Sequence, residues 1–470
     1  MKLEQIYTGC LAQGAYYIQC SGEAAIIDPL RELTPYLERA EKDGVKIKYI
    51  FETHFHADFV SGHLTLAEKT GAPIIYGQNA NPSFDAHIAK DGEEFKIGKI
   101  TIKALHTPGH TMESTTYLLI DEKGKDYAIF SGDTLFLGDV GRPDLAQKAA
   151  DMTQEQLAGL LYDSLRNKIM PLADDIIVYP AHGAGSACGK NMMKETVDTL
   201  GNQKKTNYAL RADMTKEEFI KEVTDGLLPP PAYFPLNVKM NKEGYESIDK
   251  VLEKGMHALS PREFEVAANE TGSVMLDVRH QNDFAKSHVP RSIFIGLNGS
   301  FAPWVGALIK DVAQPILLIA DDEKIEEAVT RLSRVGFDNV IGYLKGGVEA
   351  WSADGKETDN VSSIPAEELN AVLEENSDRY IVDVRRESEY LSEHIKGAEN
   401  SPLSTLNEHL ASLPEQDTFY VHCAGGYRSM IASSILKSRG IHNLIDVAGG
   451  FKAIKETAIP VTDYVCPTTL

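Results

Sequence analysis

Thr53-His54-Phe55-His56-Ala57-Asp58-Phe59 is the stretch whose reading decides the fold. It follows a β-rich run, Lys46-Ile47-Lys48-Tyr49-Ile50-Phe51, so it falls where a strand ends. Two imidazoles at i and i+2, with a carboxylate two residues on, converge only from a loop, because a helix face groups residues three and four apart. Imidazole with carboxylate is a donor set for first-row metals, and strand-end loops are where α/β layers place sites. Taken alone, the stretch is equally a polar loop with hydrogen-bonded histidines.

Three later segments change the balance. Thr107-Pro108-Gly109-His110-Thr111 is a tight turn carrying one His, and Phe130-Ser131-Gly132-Asp133-Thr134 ends an apolar strand in a carboxylate. Val178-Tyr179-Pro180-Ala181-His182-Gly183 ends another strand in a His. Four strand ends, each closed by a metal-ligating residue type, are hard to explain as core chemistry. In this order the segments resemble the metallo-β-lactamase fold, over roughly residues 1–240.

One departure bears on function. Hydrolases of this fold usually place a His directly after the Asp of the first motif, completing a second metal site. This chain has Phe59, and an apolar ring cannot ligate. The resemblance extends to the persulfide dioxygenases of the superfamily, which use one non-haem iron. It implies that His54, His110 and Asp133 hold one Fe(II) per chain as a 2-His-1-carboxylate face. It leaves His56, Asp58 and His182 as groups that hydrogen-bond ligands, water or substrate, or complete a metal site. Spacing alone does not select three of these six.

Composition is that of a soluble globular protein, 43% hydrophobic and 25% charged, and 470 residues allow two to four domains. A net charge of −22 argues against nucleic acid and against anionic membranes as partners. No apolar run approaches about 18 residues, and Met1-Lys2-Leu3-Glu4-Gln5 has no hydrophobic signal core, so a cytoplasmic location is expected. The five cysteines are irregularly spaced with no CxxC pair, which indicates neither a disulfide framework nor a zinc knuckle.

Along the chain, residues 1–30 read as short strands, a helix is expected through Leu33–Asp43, and another over 60–70. With the strand pairs that follow, this suits a sheet sandwich with helices outside. Gly138-Asp139-Val140-Gly141-Arg142-Pro143-Asp144 resembles the loop that persulfide dioxygenases carry beside their iron, giving Arg142 a site-shaping role; a self-paired structural loop is the other reading. After His182, the small residues Gly183 to Gly189 are expected to open a helix, whose free amides would face an anion. Cys188 and Lys190 then sit near the mouth as candidates for holding a thiol or persulfide, although small residues there also serve close packing. Pro229-Pro230-Pro231-Ala232-Tyr233-Phe234-Pro235 predicts an extended stretch pinned by its aromatics, before a boundary near Gly244.

The remainder is an internal repeat. Leu276-Asp277-Val278-Arg279 recurs as Val382-Asp383-Val384-Arg385, His288 recurs as His394, and Gly346-Gly347 recurs as Gly449-Gly450. Each unit alternates strands and helices, predicting a small parallel-sheet α/β domain. Both resemble rhodanese domains. In the second, Phe419-Tyr420-Val421-His422 delivers Cys423-Ala424-Gly425-Gly426-Tyr427-Arg428 ahead of a helix. A Cys at a strand end, before a glycine loop and a helix start, sits where backbone amides converge and stabilise a thiolate or persulfide. Cysteine phosphatases place one residue more between Cys and Arg; the narrower loop here suits sulfane sulfur. Cys423 is the expected nucleophile, with Arg428, Gly425 and Gly426 in the anion cradle. The first copy reads Ala320-Asp321-Asp322-Glu323-Lys324 at that place, with no Cys and with carboxylates that repel anionic sulfur.

The expected architecture is thus α/β multidomain: an αββα sandwich of the metallo-β-lactamase type over 1–245, an inactive rhodanese-like domain over 246–357, and an active one over 358–470. The resemblance implies oxidation of a thiol persulfide (of glutathione, coenzyme A or a similar thiol) by O2 to sulfite, coupled to sulfur transfer through Cys423 that makes or uses thiosulfate. It also implies a homo-oligomer. The competing expectation is a zinc thioesterase like glyoxalase II, fused to a sulfurtransferase.

Overall fold

The computed structural model describes residues 1–227 and 229–466; Leu228 of the proline-rich stretch and residues 467–470 of the third expected domain lie outside the described residues. The chain forms two compact units, Met1–Lys250 with Thr330–Asp338, and Val251–Val329 with Asn339–Leu470.

The first unit contains two six-stranded sheets. One runs Lys2–Thr8, Gln13–Cys20, Glu23–Ile27, Lys46–Phe51, Ile74–Tyr76, His87–Ile88, antiparallel through the first three strands and parallel thereafter. The other runs Asp198–Thr199, Ile177–Pro180, Asp126–Gly132, Thr115–Ile120, Ile100–His106, Glu94–Ile97, antiparallel except where Asp126–Gly132 meets Ile177–Pro180. Alternation along each strand explains the layering. Tyr16, Ile18, Ala25, Ile27 and Phe51 face Ile100, Ile102, Tyr117, Leu119 and Phe130 between the sheets. Their neighbours Ala15, Tyr17, Ala24, Ile26 and Ile50 point the other way, onto Tyr36 and Ala40 of helix Thr34–Asp43 and Leu66 of helix His63–Thr70. On the far face, Leu105, Leu118, Ile129 and Val178 pack on Ala158 and Leu161 of helix Gln154–Ser164. Strands buried on both faces need near-continuous apolar sequence, which these have. The result is the expected αββα sandwich.

The second unit holds two five-stranded parallel sheets of identical order. The first is Ala258–Leu259, Val340–Leu344, Ile316–Ile319, Val274–Asp277, Ile293–Phe294, and the second is Ser363–Ile364, Leu444–Val447, Phe419–His422, Tyr380–Asp383, Glu399–Asn400. The repeat extends to side chains. Arg279 forks onto Asp277 and donates to Ser287 O at 2.8 Å, and Arg385 forks onto Asp383 and donates to Glu393 O at 2.8 Å. His288 stacks on Phe284 with ring centroids 3.9 Å apart, and His394 on Tyr390 at 3.7 Å.

Two local expectations fail. Residues 183–190 form turns, with no helix, so no row of helix-start amides exists there. The chain is held instead by distant partners: Asp139 Oδ2 accepts from Lys190 N and Asn191 N, and Cys188 O accepts from Arg142 N. Pro229, Pro230 and Pro231 belong to no regular element, and Pro235 sits in the first turn of helix Phe234–Glu243, where its missing N–H costs nothing. Tyr233 and Phe234 are buried, as pinning requires.

Candidate metal centre and sulfur loop

Four strands of the sandwich end around one buried point. Lys46–Phe51 leads into His54, Ile100–His106 into His110, Asp126–Gly132 into Asp133, and Ile177–Pro180 into His182. Two glycines let the backbone close in. Gly132 has φ +54°, and a Cβ there would lie 2.7 Å from Thr53 Oγ1. A Cβ on Gly141 would lie 2.1 Å from Asp133 O and 2.9 Å from His110 Nδ1.

His54, His110 and Asp133 are buried and converge. His54 Nε2 is 3.8 Å and His110 Nε2 3.5 Å from Asp133 Oδ2, and that oxygen has no hydrogen-bond partner. Ligands each about 2.0–2.2 Å from one ion stand roughly 3–3.6 Å apart; the His110 separation falls in that range and the His54 one just beyond it, so a small cation would draw His54 slightly inward. The other ring nitrogens are engaged. Thr53 Oγ1 donates to Asp28 Oδ2 at 2.9 Å, so it accepts from His54 Nδ1 at 3.0 Å, while Thr53 N donates to Asp28 Oδ1. His110 Nδ1 donates to Arg142 O at 2.8 Å. Both rings therefore turn an Nε2 lone pair inward. Burial, then the charge on His56, pushes His54 well below its ordinary value and keeps it neutral. Burial disfavours charge on Asp133, but His182 and His54 outweigh it and hold the carboxyl well below the usual range.

The remaining motif residues surround this face. His182 Nδ1 donates to Asp133 Oδ1 at 2.8 Å, and its Nε2 lies 2.8 Å from Asp58 Oδ2. Burial opposes protonation of His182, yet Asp133 and Asp58 outweigh burial and raise it well above its ordinary value. His56 turns toward the opposite side: its Nε2 is 3.0 Å from Asp28 Oδ1 and 3.4 Å from Glu52 Oε2. Against the effect of burial, those carboxylates push His56 up to about 10. Phe59 is fully buried, stacked on His56 at 4.3 Å between ring centroids and edge-on to His182 at 6.4 Å. Cys188 joins Asp58 and His182 in a second buried donor group; burial, then Asp58 and Asp133, push its thiol well up. Arg142 contributes its carbonyl to His110, and its guanidinium forks onto Asp144 at 2.7 Å. Lys190 is directed elsewhere, its Nζ donating to Glu222 O and Asp225 O.

The sequence reading did not nominate Asp28, Glu52 or Thr53. A signal existed for Asp28: it closes the apolar strand Glu23–Ile27 in a carboxylate, as Asp133 closes its own, and has φ +50°.

In the second unit, strand Phe419–His422 delivers Cys423, which is 1% exposed, to the start of helix Tyr427–Ser438. Gly426 N donates to Cys423 Sγ at 3.1 Å, and Gly426 has φ +101°, a conformation other residues adopt only under strain. The second glycine pair holds this loop from behind. Phe451 N donates to Cys423 O and Lys452 N to Ala424 O, an approach so close that a Cβ on Gly450 would lie 2.4 Å from Cys423 O. Gly425 faces open space. Arg428 lies in the first helical turn with its guanidinium on Glu389. In the first copy the corresponding place is a 3-10 turn, Asp322–Lys324, with Asp322 Oδ1 accepting from Gly346 N. No disulfide joins any of the described cysteines.

Comparison with known proteins agrees with this geometry. The Metallo-beta-lactamase superfamily profile matches residues 8–182, and the Rhodanese-like domain profile matches 260–354 and 365–457. The mitochondrial persulfide dioxygenase ETHE1 of Homo sapiens is 30% identical over 223 residues, 47% of this chain and 79% of that protein. A hydroxyacylglutathione hydrolase of Rhizobium etli is 38% identical over 165 residues, 34% of this chain and 58% of that protein. A crystal structure of a metallo-beta-lactamase from Staphylococcus aureus superposes with a TM-score of 0.63 at 31% identity, covering 73% of this chain and 98% of that one.

Proposed function

Because the chain belongs to the metallo-β-lactamase superfamily, has persulfide dioxygenases among its relatives and carries two rhodanese-like domains, we propose that it oxidises thiol persulfides and couples this to sulfur transfer. The observation that carries the reading is the His54, His110 and Asp133 face, with the partnerless Asp133 Oδ2 beside two inward Nε2 atoms. One Fe(II) per chain held there would supply the O2 chemistry that turns the terminal sulfur of a glutathione, coenzyme A or similar persulfide into sulfite. The protein's part is positional. Thr53 and the Arg142 carbonyl fix the two rings, and His182 occupies Asp133 Oδ1 so that Oδ2 remains for the metal. Phe59 and Phe136 flank His182 and keep water from that side.

Within this proposal residues 1–245 form the dioxygenase domain, 246–357 the inactive rhodanese and 358–470 the active one. The Cys423 thiolate attacks the terminal sulfur of a persulfide RS–SH. A Cys423 S–S bond forms as the RS–S bond breaks, and the thiol RSH leaves with the proton. Sulfite then attacks the carried sulfur, giving thiosulfate and restoring the thiolate; the reverse course would load Cys423 from thiosulfate. Free thiols suit a reducing compartment such as the cytoplasm. A homo-oligomer of such chains is the assembly we propose.

The second reading, a two-zinc thioesterase, is favoured by the Asp58, His182 and Cys188 group. Phe59, buried where a further ligand would stand, weighs against it. Metal content and O2 uptake with glutathione persulfide, on wild type and Asp133→Ala, separate the two. One iron per chain, sulfite as product and loss of O2 uptake in the variant are expected. Two zincs without O2 uptake would overturn the dioxygenase.

A further inference from the structure

The first rhodanese copy has no cysteine at its own loop, yet it touches the working loop of the second. Tyr427 stands between Gly426, whose amide faces Cys423 Sγ, and Arg428. Its hydroxyl donates to Gly296 O of the first copy at 2.6 Å, and its ring meets Phe294 edge-on with centroids 5.8 Å apart. Gly299 lies against the same ring: a Cβ there would be 2.4 Å from Tyr427 Cζ. The contact continues along the helix that Tyr427 begins. Phe294 N donates to Ser434 Oγ at 2.9 Å, and Lys437 Nζ donates at 2.9 Å to Asp359 Oδ1, in the segment that joins the two copies and whose backbone pairs with His288 of the first. Tyr427, Ser434 and Lys437 share one helical face, so the helix is held at its first turn and again near its last.

We infer that the first copy is the fixed seat of the sulfur loop, with Gly296, Gly299 and Phe294 positioning Tyr427 and, through it, the Gly426 amide that faces Cys423. The inference rests on Cys423 being the sulfur carrier. A loop with two adjacent glycines has many conformations of similar energy, and a cradle of amides works only in one of them. Docking the Tyr427 ring between Phe294 and Gly299 removes that freedom at the residue next to the cradle. Gly299 is therefore a positioning residue, outside the reacting groups.

The test uses full-length Gly299→Ala, Tyr427→Phe, Tyr427→Ala and the Gly299→Ala/Tyr427→Ala double variant. Cys423 persulfide after glutathione persulfide treatment is read by mass spectrometry, and kcat and KM for sulfur transfer to sulfite by rate. Gly299→Ala should lower kcat by up to about 100-fold through the displaced ring, with O2 uptake unchanged. Tyr427→Phe, which keeps the ring and cannot clash, should show a smaller loss and serves if Gly299→Ala misfolds. In the Tyr427→Ala background the Gly299 change should add little, because the clash it creates is gone. Wild-type transfer by Gly299→Ala, or losses that multiply in the double variant, would overturn the inference. A wild type that carries no sulfur on Cys423 would instead overturn the sulfurtransferase reading beneath it.

Discussion

Glu389 holds Arg428 by both prongs, Oε2 to Nη1 at 2.6 Å and Oε1 to Nη2 at 2.8 Å. Burial works against the Glu389 charge, and Arg428 outweighs it, keeping that carboxyl below its ordinary value. The guanidinium nearest the Cys423 loop is thus matched by a carboxylate before any anion arrives. In the proposed sulfur transfer, a dianion such as thiosulfate would have to compete with Glu389, whereas a persulfide would approach amides that are already in place.

Glu389→Gln should therefore favour thiosulfate. Removing the carboxylate leaves the Arg428 fork open to an incoming anion, and thiosulfate:cyanide sulfur transfer should rise roughly three- to tenfold in kcat/KM, as one charge-assisted contact implies. Transfer from glutathione persulfide should change less. Equal changes with both donors would remove the charge competition from the account.

Thr53→Val keeps the shape of the side chain and removes the oxygen that links Asp28 to His54. His54 then loses the partner that fixes its tautomer and ring angle. Metal affinity should fall about 10- to 100-fold, measured as the chelator concentration that strips half the metal. Retention like that of wild type would mean that packing alone orients His54.

Asp446 gives a pH prediction for the second unit. Burial, only partly offset by Ser429 and Ser363, pushes its carboxyl up to about 6, and its Oδ1 has no hydrogen-bond partner. A carboxyl whose folded value lies above its unfolded one adds stability that is complete below about pH 4 and is lost as pH rises through about 6. Asp446→Asn should accordingly stabilise the unit at pH 7.5 by on the order of 1–3 kcal/mol, with no gain near pH 4. Urea unfolding followed by far-UV circular dichroism, which reports both copies, reads this. A gain independent of pH would assign the effect to packing.

What could be read from the sequence follows from how far each signal reaches. The strands that lead into the candidate site residues are short apolar runs closed by polar residues, so Lys46–Phe51 and Phe419–His422 were expected with their observed bounds. The repeat was legible because Asp-x-Arg and Gly-Gly are local patterns with one structural use each. The loop after His182 was misread because Gly183–Gly189 suits a helix start and a chain of turns equally well. Asp139 and Arg142, 46 to 52 residues from the positions they hold, decide between them. Pro235 was misread although the signal was present, since proline favours the first turn of a helix as much as an extended chain. Thr53 is an ordinary residue in the sequence and a link between two others only once Asp28 stands beside it. Tyr427 likewise gains its role from Gly296, 131 residues away.

The line from Asp133 Oδ1 through the His182 ring to Asp58 Oδ2 has a consequence for proton balance. In the proposed reaction, a persulfide, O2 and water would give a thiol and sulfite and release protons inside this buried centre. His182, held protonated by both carboxylates, can pass its Nε2 proton only outward to Asp58 and must be reprotonated before it passes another. The side chain of Asp58, 7% exposed where those of His182 and Asp133 are sealed, is the outward end of that line. Under the proposed function, acid leaving by that outward end would leave the His54 and His110 lone pairs untouched.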